Sequence, residues 1–422
     1  MAIPKLALIP SGVKAGKLYS VLPTNGDGDF TTTRNTVATR VNENGLIEEV
    51  AANVPRLDYS DGTCPSLLLE PTATNLVVQS QVFSGYSGDN EIVTDNQIVS
   101  PDGTVTGALL ADSGLGGSSN VQVYEGVTVD VSSTYTYSVF AKKKDLNFIA
   151  LRTAAFTTPT SGQSYFDLNL GTTLGVATGH TSKIENYGNG WYRCSITFDT
   201  DAVVTTGNIF TRLSQDGTTS TVDLDNTSNV YIWGFQFEKN SYATSYIKTI
   251  GTTQSRSADT ANGAGNASTF NDSSGVLMAE ISALADDGTN RFLGVSNGSL
   301  SNRVNIIYNT SNELLGQIQG AGSLSGGGVD ILSSNKIALK YKLGDNQLWV
   351  NGIKVDSNTS TLGSTVGLNV LDLSAGNGSF PFYGSTKQIQ YFDSALNDSD
   401  LEKLTSWTSF TAMANGQSYT II

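Results

Sequence analysis

The stretch that decides the fold is residues 231–238, which read Tyr-Ile-Trp-Gly-Phe-Gln-Phe-Glu. At a period of two, one face of this run carries four aromatic side chains: Tyr231, Trp233, Phe235 and Phe237. Four aromatics on one face predict a buried core strand, so Trp233 is interpreted as a core residue. Residues 135–142 and 191–198 alternate in the same way, and Cys194 falls on the apolar face of the second run. We therefore predict that Cys194 is a buried, inert thiol.

The composition also indicates a β-rich protein. The chain has 422 residues, of which 38% are hydrophobic and 15% charged, so it can form cores while its strands and turns stay mostly uncharged. The clearest helical pattern covers residues 397–407, where Asn397 can cap and Leu401, Leu404 and Trp407 form an apolar stripe. We predict an all-β fold, with a short-stranded N-terminal region followed by two β-sandwich (jelly-roll) domains.

Changes of pattern along the chain predict four segments. Residues 1–75 carry many turn signals and short strands, whereas 76–250 carry long alternating runs. Residues 251–273 are small and polar, which is typical of a linker. Alternation resumes over 274–422, where Asn-Gly at 351–352 predicts a two-residue hairpin turn.

Charge and rare residue types exclude several functions. Lys and Arg number 24 against 38 Asp and Glu, a net charge of −14, so nucleic acid and anionic membranes are poor partners. His180 is the only histidine, and Cys64 and Cys194 are the only thiols, which is too few for a structural zinc site built from these residues. No nucleophile motif accompanies His180, which is interpreted as a surface-loop residue. The first ten residues lack the apolar run of a signal peptide, so we expect a protein made in a cytoplasm.

Residues 36–76 carry a more specific pattern. The run TVATRVNENGLI at 36–47 leads through VPRLDY, CPSLLLEP and TNL to residue 76. This pattern resembles the N-terminal signature of tail-fibre, head-fibre and other appendage proteins of tailed bacteriophages. The resemblance implies a virion structural protein made in the cytoplasm of the host bacterium. It also implies that 76–250 is a carbohydrate-binding-module-like jelly roll.

The C-terminal segment resembles a different sandwich type. Residues 348–352 (LWVNG) and 390–396 (QYFDSAL) are similar to those of concanavalin A/laminin-G-type domains. That fold occurs in enzymes, lectins and purely structural domains, so it does not settle the function.

The spacing of carboxylates argues against catalysis. Retaining glycosidases need two carboxyls about 5 Å apart, and the concanavalin-like hydrolases place theirs in a Glu-x-Asp-x-x-Glu strand, which this sequence lacks. The nearest group, Glu280 with Asp286 and Asp287, falls in a turn. We therefore predict a non-enzymatic protein that attaches to host surface glycans. Two alternatives stay open: a virion-associated polysaccharide depolymerase (a glycoside hydrolase), and a capsid decoration protein without glycan binding.

Residues 25–29 (NGDGD) imitate half of a calcium loop. They lack the bidentate Glu that such a loop requires, because position 36 is Thr36. A plain turn is the better interpretation. Calcium elsewhere in a sandwich loop stays open, but the sequence assigns it no ligands, and no cofactor or metal site is predicted.

Outward-facing aromatic residues supply the candidate binding sites. Phe140, Trp191 and Arg193 fall on the non-core face of the middle domain, where an aromatic ring and a polar fork suit sugar recognition. The alternative is that a loop or a neighbouring subunit covers them. Trp349 also faces outward and is predicted to lie at a subunit interface. The resemblance to phage fibres implies a homotrimer.

The N-terminal residues are predicted to anchor the protein in the virion. The apolar residues of 1–75 are too scattered for an independent core. Leu6, Leu8 and Ile9 lie farthest from the middle domain in sequence. We therefore expect these three to dock on other virion proteins or on sister chains.

Overall fold

The computed structural model describes residues 3–362 and 365–406, whose regular secondary structure is β-strand apart from one short helix. Nine strands come first: β1 (Leu6–Leu8), β2 (Val13–Lys14), β3 (Lys17–Leu18), β4 (Phe30–Thr33), β5 (Ala38–Val41), β6 (Ile47–Val50), β7 (Arg56–Asp58), β8 (Ser66–Leu69) and β9 (Ala73–Asn75). Sixteen follow: β10 (Ser87–Asp89), β11 (Glu91–Ile98), β12 (Gly107–Asp112), β13 (Ser118–Asn120), β14 (Gln122–Thr128), β15 (Thr134–Lys143), β16 (Phe148–Ala154), β17 (Gly162–Asp167), β18 (Thr172–Thr173), β19 (Thr181–Asn186), β20 (Trp191–Asp199), β21 (Thr206–Ser214), β22 (Thr221–Asp223), β23 (Asn229–Glu238), β24 (Gln254–Arg256) and β25 (Thr260–Asn262). The last elements are β26 (Ser274–Ala283), β27 (Arg291–Ser296), β28 (Arg303–Tyr308), β29 (Leu314–Ile318), β30 (Gly322–Ser325), β31 (Asn335–Lys342), β32 (Asn346–Val350), β33 (Ile353–Asn358), β34 (Val370–Asp372), β35 (Gly384–Phe392) and the helix α1 (Asp398–Ser406). The all-β prediction is confirmed.

The chain forms two compact units, and each contains separate stretches of sequence. The central unit combines Ala38–Glu49 with Thr72–Arg256. The terminal unit combines the described residues of Met1–Val37, Val50–Pro71 and Ser257–Ile422. This division differs from the four predicted segments, because residues 1–75 contribute strands to both units rather than forming a region of their own.

The predicted linker, 251–273, also contains paired structure. Its strand β24 pairs with β9 in the central unit, and β25 pairs with β4 in the terminal unit. Between these strands, the buried carboxylate of Asp259 accepts hydrogen bonds from Arg34 at 3.0 Å and from Arg56. Arg56 also binds Glu70 at 2.6 Å. Small polar residues here serve strand pairing and a buried charge cluster, so the segment is not a free connection.

The central unit is a sandwich of two six-stranded sheets. One has the order β10-β14-β21-β16-β17-β18, and the other has the order β11-β12-β23-β15-β20-β19. Side chains from both sheets fill a single apolar core, among them Val123, Leu151, Ile209, Tyr137 and Phe237. Cys194 is part of this core, and burial raises the pKa of its thiol. The predicted buried thiol is thus confirmed.

A β-bulge changes the alternation that the sequence suggested for β23. The pairing of β23 with β15 shifts register between Phe140 and Ser138, where Gly234 has φ 67°. The bulge places Phe235 in the sandwich core and Trp233 in an apolar cluster on the opposite face of the sheet. Trp233 is buried, as predicted, but it does not share a face with Phe235.

The terminal unit is a second sandwich. Its larger sheet has the order β33-β32-β31-β26-β35-β8-β7, with β1 also paired to β35, and its smaller sheet has the order β30-β29-β28-β27-β34. The core between them includes Leu277, Ile337, Leu293 and Val304. The predicted hairpin turn joins β32 and β33, and both its residues, 351 and 352, have positive φ.

The predicted subunit-interface residue Trp349 is covered by its own chain. Helix α1 packs Leu401 and Leu404 on it, and the Trp349 side chain is only 6% exposed. Asn397 caps this helix by accepting a hydrogen bond from the backbone N of Asp400 at 2.9 Å. Trp349 is therefore not available for subunit packing. Trp407, predicted to extend the helical stripe, lies outside the described residues.

Two of the three predicted virion-anchor residues are also buried. Leu6 and Leu8 are 0% exposed, because β1 pairs with β35 and turns both side chains into the terminal core. Ile9 is half-buried. The sequence near Leu6 could not show that its strand partner lies near the other end of the chain. These residues stabilise the fold and leave little apolar surface for an anchor.

Candidate functional site

The structure brings the three predicted binding residues together but buries them. Phe140 on β15 lies directly opposite Arg193 on β20, with the guanidinium 5.2 Å from the ring centroid. Trp191 belongs to the same cluster, and its indole N–H donates to the carbonyl oxygen of Val99 at 3.0 Å. The exposed fractions are 0% for Phe140, 2% for Trp191 and 1% for Arg193. The exposure that sugar stacking requires is absent.

Two other segments of the central unit cover this face. Ile47, from the β5–β6 hairpin, and Tyr246 pack into the cluster, with the Tyr246 ring centroid 6.1 Å from that of Phe140. Arg193 donates to the carbonyl oxygen of Thr244 at 2.6 Å. The loop-cover alternative is therefore the one observed, and the assignment of Phe140, Trp191 and Arg193 as glycan-binding residues is corrected. We call this face the covered face.

The outer face of the other sheet carries a second aromatic–arginine arrangement. Two rows of side chains cross β14, β21, β16 and β17: Tyr124, Phe210, Arg152 and Gln163 in the first row, and Gln122, Arg212, Ala150 and Tyr165 in the second. Along β21, the alternate residues Ile209 and Leu213 point into the core. The strand period of two therefore turns both rows outward. We call this surface the arginine face.

Both arginines of this face lie against one aromatic ring. The Cζ atoms of Arg152 and Arg212 are 4.8 and 5.4 Å from the Phe210 ring centroid. The Tyr124 ring is tilted against Phe210 at 5.0 Å. Phe210 and Arg212 are 7% and 9% exposed, whereas Arg152, Tyr124 and Gln163 are half-buried. The surface is shallow, and Arg152 is its accessible cation.

Side-chain amides hold Arg212 in place. Its Nη1 donates to the amide oxygen of Gln163 at 3.1 Å, and its Nε donates to that of Gln122. Gln122 in turn donates to the carboxylate of Asp89. Arg152 has no such support, because no side-chain hydrogen bond or salt bridge to it occurs in residues 3–362 and 365–406. One guanidinium is preorganised, and the other is free to take a ligand.

The two guanidiniums create a local positive charge on an acidic protein. Burial lowers the pKa of Arg152. Burial also lowers the pKa of Arg212 to about 10, and the neighbouring charge of Arg152 acts in the same direction. Within the described part of the chain, no carboxylate oxygen lies within 4.0 Å of either guanidinium. A planar anion such as a carboxylate would relieve this repulsion and match the geometry of a guanidinium.

Sequence reasoning missed the arginine face although a signal was present. Residues 209–213 read Ile-Phe-Thr-Arg-Leu and 149–152 read Ile-Ala-Leu-Arg, so a period of two already turns both arginines outward. What the sequence does not contain is the antiparallel pairing of β16 with β21. That pairing places Arg152 directly opposite Phe210.

The histidine and the calcium-like turn are both engaged within the fold. His180 is buried rather than in an exposed loop, with Nε2 2.8 Å from the hydroxyl of Thr153 and Nδ1 3.0 Å from that of Ser164. In the calcium-like turn, Asp29 forms an ion pair with Lys17 at 2.7 Å. Across the described residues, no group of three or more His, Cys, Asp and Glu side chains is placed to hold a metal, and no helix is long and apolar enough to cross a membrane.

Comparisons with known proteins give matches to solved structures only. No family model and no curated protein matches the sequence. The CBM40 domain of a Ruminococcus gnavus IT-sialidase, bound to α2,3 sialyllactose, is 18% identical and covers 32% of this chain and 83% of its own, with a TM-score of 0.27. Domain 4 of a Geobacillus stearothermophilus arabinanase, in complex with arabinotriose, is 12% identical and covers 39% of this chain and 83% of its own, with a TM-score of 0.29.

A third match concerns the prediction of a non-enzymatic protein. Trypanosoma rangeli sialidase covers 93% of this chain and 78% of its own, at 10% identity and a TM-score of 0.30. The prediction that the chain is not an enzyme is contradicted, because the proteins matched over nearly its whole length are sialidases. At these TM-scores no residue of this chain acquires a role from the matches.

Proposed function

We propose that this protein binds glycans through the arginine face of its central unit, and that the bound glycans carry an acidic group. The single observation that carries the proposal is the pair of guanidiniums that lie against the Phe210 ring. Neither guanidinium forms a salt bridge with a carboxylate of the described residues; Asp89, which acts on Arg212 from a distance, is hydrogen-bonded to Gln122 instead. A half-buried charge without a partner is unfavourable unless a ligand supplies the counter-charge.

The rest of the face suits a sugar. The half-buried Tyr124 offers apolar ring surface, and Gln163 offers an amide that can bind hydroxyls. Arg152 donates two parallel hydrogen bonds to a carboxylate in a bidentate pair. A shallow site of this size corresponds to dissociation constants in the high-micromolar to millimolar range, about −4 to −6 kcal/mol.

Matched pairs of sugars that differ only in charge test this proposal. Isothermal titration would compare 3′-sialyllactose with lactose, and trigalacturonate with its methyl ester. We expect the acidic member of at least one pair to bind at least tenfold more tightly, and its affinity to fall as salt is raised. Sugar release is measured in the same samples, so that binding and cleavage are distinguished.

Two variants that each remove one positive charge test where the site lies. Arg152→Gln is expected to weaken acidic-sugar binding by about tenfold or more, because it removes a charge-assisted bond. Lys183→Gln removes one positive charge from β19, where Lys183 pairs with Glu185 at 2.7 Å, and is expected to leave binding unchanged. Equal loss in both variants would mean that only net charge matters, and the assignment to the arginine face would be abandoned.

We further propose that the protein is an appendage of a tailed bacteriophage that attaches to host surface glycans. Support comes from the pattern at residues 36–76 and from the glycan chemistry of the arginine face. Antibody against the C-terminal segment should label an external structure in electron micrographs of purified particles. Absence of the chain from the particle proteome would contradict the proposal.

The resemblance to phage fibres also supports a homotrimer. Light scattering of the purified protein at micromolar concentration is expected to give three times the chain mass of 44.5 kDa. A monomer mass would contradict the trimer while leaving the glycan proposal intact.

A further inference from the structure

A row of polar residues crosses the outer face of the smaller sheet of the terminal unit. Asp372 on β34 lies opposite Gly294 on β27, and Gly294 lies opposite Asn305 on β28. Asn305 is opposite Gln317 on β29. The core-facing neighbours of these residues form the apolar interior, so this row points away from the sandwich core.

The middle of this row contains buried polar atoms that lack hydrogen-bond partners. Asn305 is 0% exposed, and in the described part of the chain neither its Nδ2 nor its Oδ1 has a partner. The same holds for the Oε1 atom of Gln317 and the Nε atom of Arg303. Folded proteins rarely bury polar atoms without partners, and a cluster on three neighbouring residues requires an explanation.

The side chain of Arg303 extends over this cluster. Arg303 lies opposite Ser296, whereas Phe292 lies four residues earlier on the same strand. The guanidinium is nevertheless 5.7 Å from the Phe292 ring centroid, so the side chain spans the interval that holds Gly294 and Asn305. A long, flexible side chain is a cover that a ligand can displace.

Gly294 makes room for the side-chain amide of Asn305 beneath the Arg303 side chain. A Cβ atom at position 294 would lie 2.0 Å from Oδ1 of Asn305, so any other residue would displace the amide. The Phe292 ring stacks on Phe380 at 5.3 Å and closes one end of the row. The site therefore has polar groups at its base, an aromatic pair at one end and the Arg303 side chain as its cover.

We propose that this row is a second ligand site, independent of the arginine face, and that it binds a neutral saccharide. The site offers donors from Arg303 and Asn305 together with acceptors from Asn305 and Gln317. Sugar hydroxyls both donate and accept, so they match such a mixed set. The carboxylate of Asp372, which accepts a hydrogen bond from the backbone N of Gly263 at 2.7 Å, disfavours an anionic ligand.

Saturation-transfer NMR with the full chain tests the site. The probes are methyl glycosides of glucose, galactose and mannose, with lactose and cellobiose, all at millimolar concentration. We expect at least one neutral probe to bind. Asn305→Leu should weaken that binding by at least tenfold, and Gln317→Met should weaken it several-fold.

Two controls keep the outcomes distinct. Lys183→Gln, on β19 and outside both proposed sites, should leave neutral-sugar binding unchanged. The acidic-sugar titration of the proposed function is a separate measurement, so failure of this site is distinct from failure of that function. Asn305→Leu should also keep or raise the melting temperature, because it removes unsatisfied polar atoms. If no neutral probe binds, or if both substitutions leave binding unchanged, the proposal is overturned. A lower melting temperature without any binding would assign the cluster to an internal water.

Discussion

The two outer faces of the central sandwich carry the same chemistry in different surroundings. On one, Arg193 lies 5.2 Å from the Phe140 ring; on the other, Arg152 lies 4.8 Å from the Phe210 ring. Arg193 is 1% exposed and hydrogen-bonded to the backbone, whereas Arg152 is half-buried and unpaired in the described residues. An arginine beside an aromatic ring is thus a structural element on one sheet and, in our proposal, a binding element on the other.

The difference between the faces lies in segments distant in sequence. The β5–β6 hairpin and the segment around Tyr246 close the covered face. The second segment supplies the carbonyl oxygen of Thr244, which together with the hydroxyl of Ser138 satisfies the Arg193 guanidinium without a counter-charge. On the arginine face two amide oxygens and the hydroxyl of Ser220 reach Arg212, and no side-chain acceptor of the described residues reaches Arg152. The covering segments, rather than the strand residues, decide which face is free to bind.

The largest expected effect comes from truncation on the covered face. Trp191→Ala should lower the free energy of unfolding by about 3–5 kcal/mol, because it empties a fully buried site. Tyr124→Ala on the arginine face should cost about 1 kcal/mol or less, since Tyr124 is half-buried. Urea unfolding followed by fluorescence measures both. Equal costs for the two substitutions would show that the faces are not differently covered.

The bulge at Gly234 should be the next most sensitive point. A Cβ atom there would lie 2.7 Å from the Phe140 ring, in a residue with φ 67°. Gly234→Ala is expected to destabilise by about 2–3 kcal/mol through steric clash and backbone strain. Gly188 has φ 77° and open space around it, so Gly188→Ala isolates the strain, at about 1 kcal/mol. If Gly234→Ala costs no more than this control, the bulge does not set the packing of the covered face.

His180 lies on the opposite side of the sheet from the arginine face. Its protonation should make the stability of the protein depend on pH. Burial lowers its pKa to about 4, so the folded state favours the neutral ring. The unfolded chain gains a proton near the ordinary pKa of 6.5, and stability is therefore complete above pH 6.5 and falls as pH is lowered toward 4. His180→Gln should remove this part of the pH dependence in parallel unfolding curves. Identical slopes for both proteins between pH 6.5 and 4 would contradict the assignment.

The smallest effect on stability is expected for the proposed binding residue. Arg152→Gln should change the free energy of unfolding by less than about 0.5 kcal/mol, because the side chain makes no hydrogen bond within the described residues. Arg193→Gln should cost about 2–3 kcal/mol through lost charge-assisted bonds. Thermal unfolding of both variants gives the ratio of the two losses of stability. A large loss of stability for Arg152→Gln would show that Arg152 is a structural residue instead.

Local pattern was sufficient for part of this architecture and insufficient for the rest. Alternation identified the long strands, the hairpin at 351–352 and the buried Cys194, because each depends on neighbours close in sequence. The pairing of β1 with β35 depends on residues at opposite ends of the chain, so Leu6 seemed free when only its neighbours were considered. The bulge at Gly234 and the cover over Phe140 are likewise tertiary features. Phe140, Trp191 and Arg193 were predicted to be exposed for the same reason, because the segments that cover them are distant in sequence.

The most direct test of the account is a titration that observes the arginine side chains of both faces at once. In protein labelled with ¹⁵N-arginine, the Nε–Hε signals of Arg152, Arg212 and Arg193 would be assigned by substitution and followed as 3′-sialyllactose or trigalacturonate is added, with lactose as the neutral control. The account predicts progressive shifts for Arg152 and Arg212 with an acidic sugar, and none for Arg193. Unmoved signals for Arg152 and Arg212 with both acids, or a shift confined to Arg193, would contradict it.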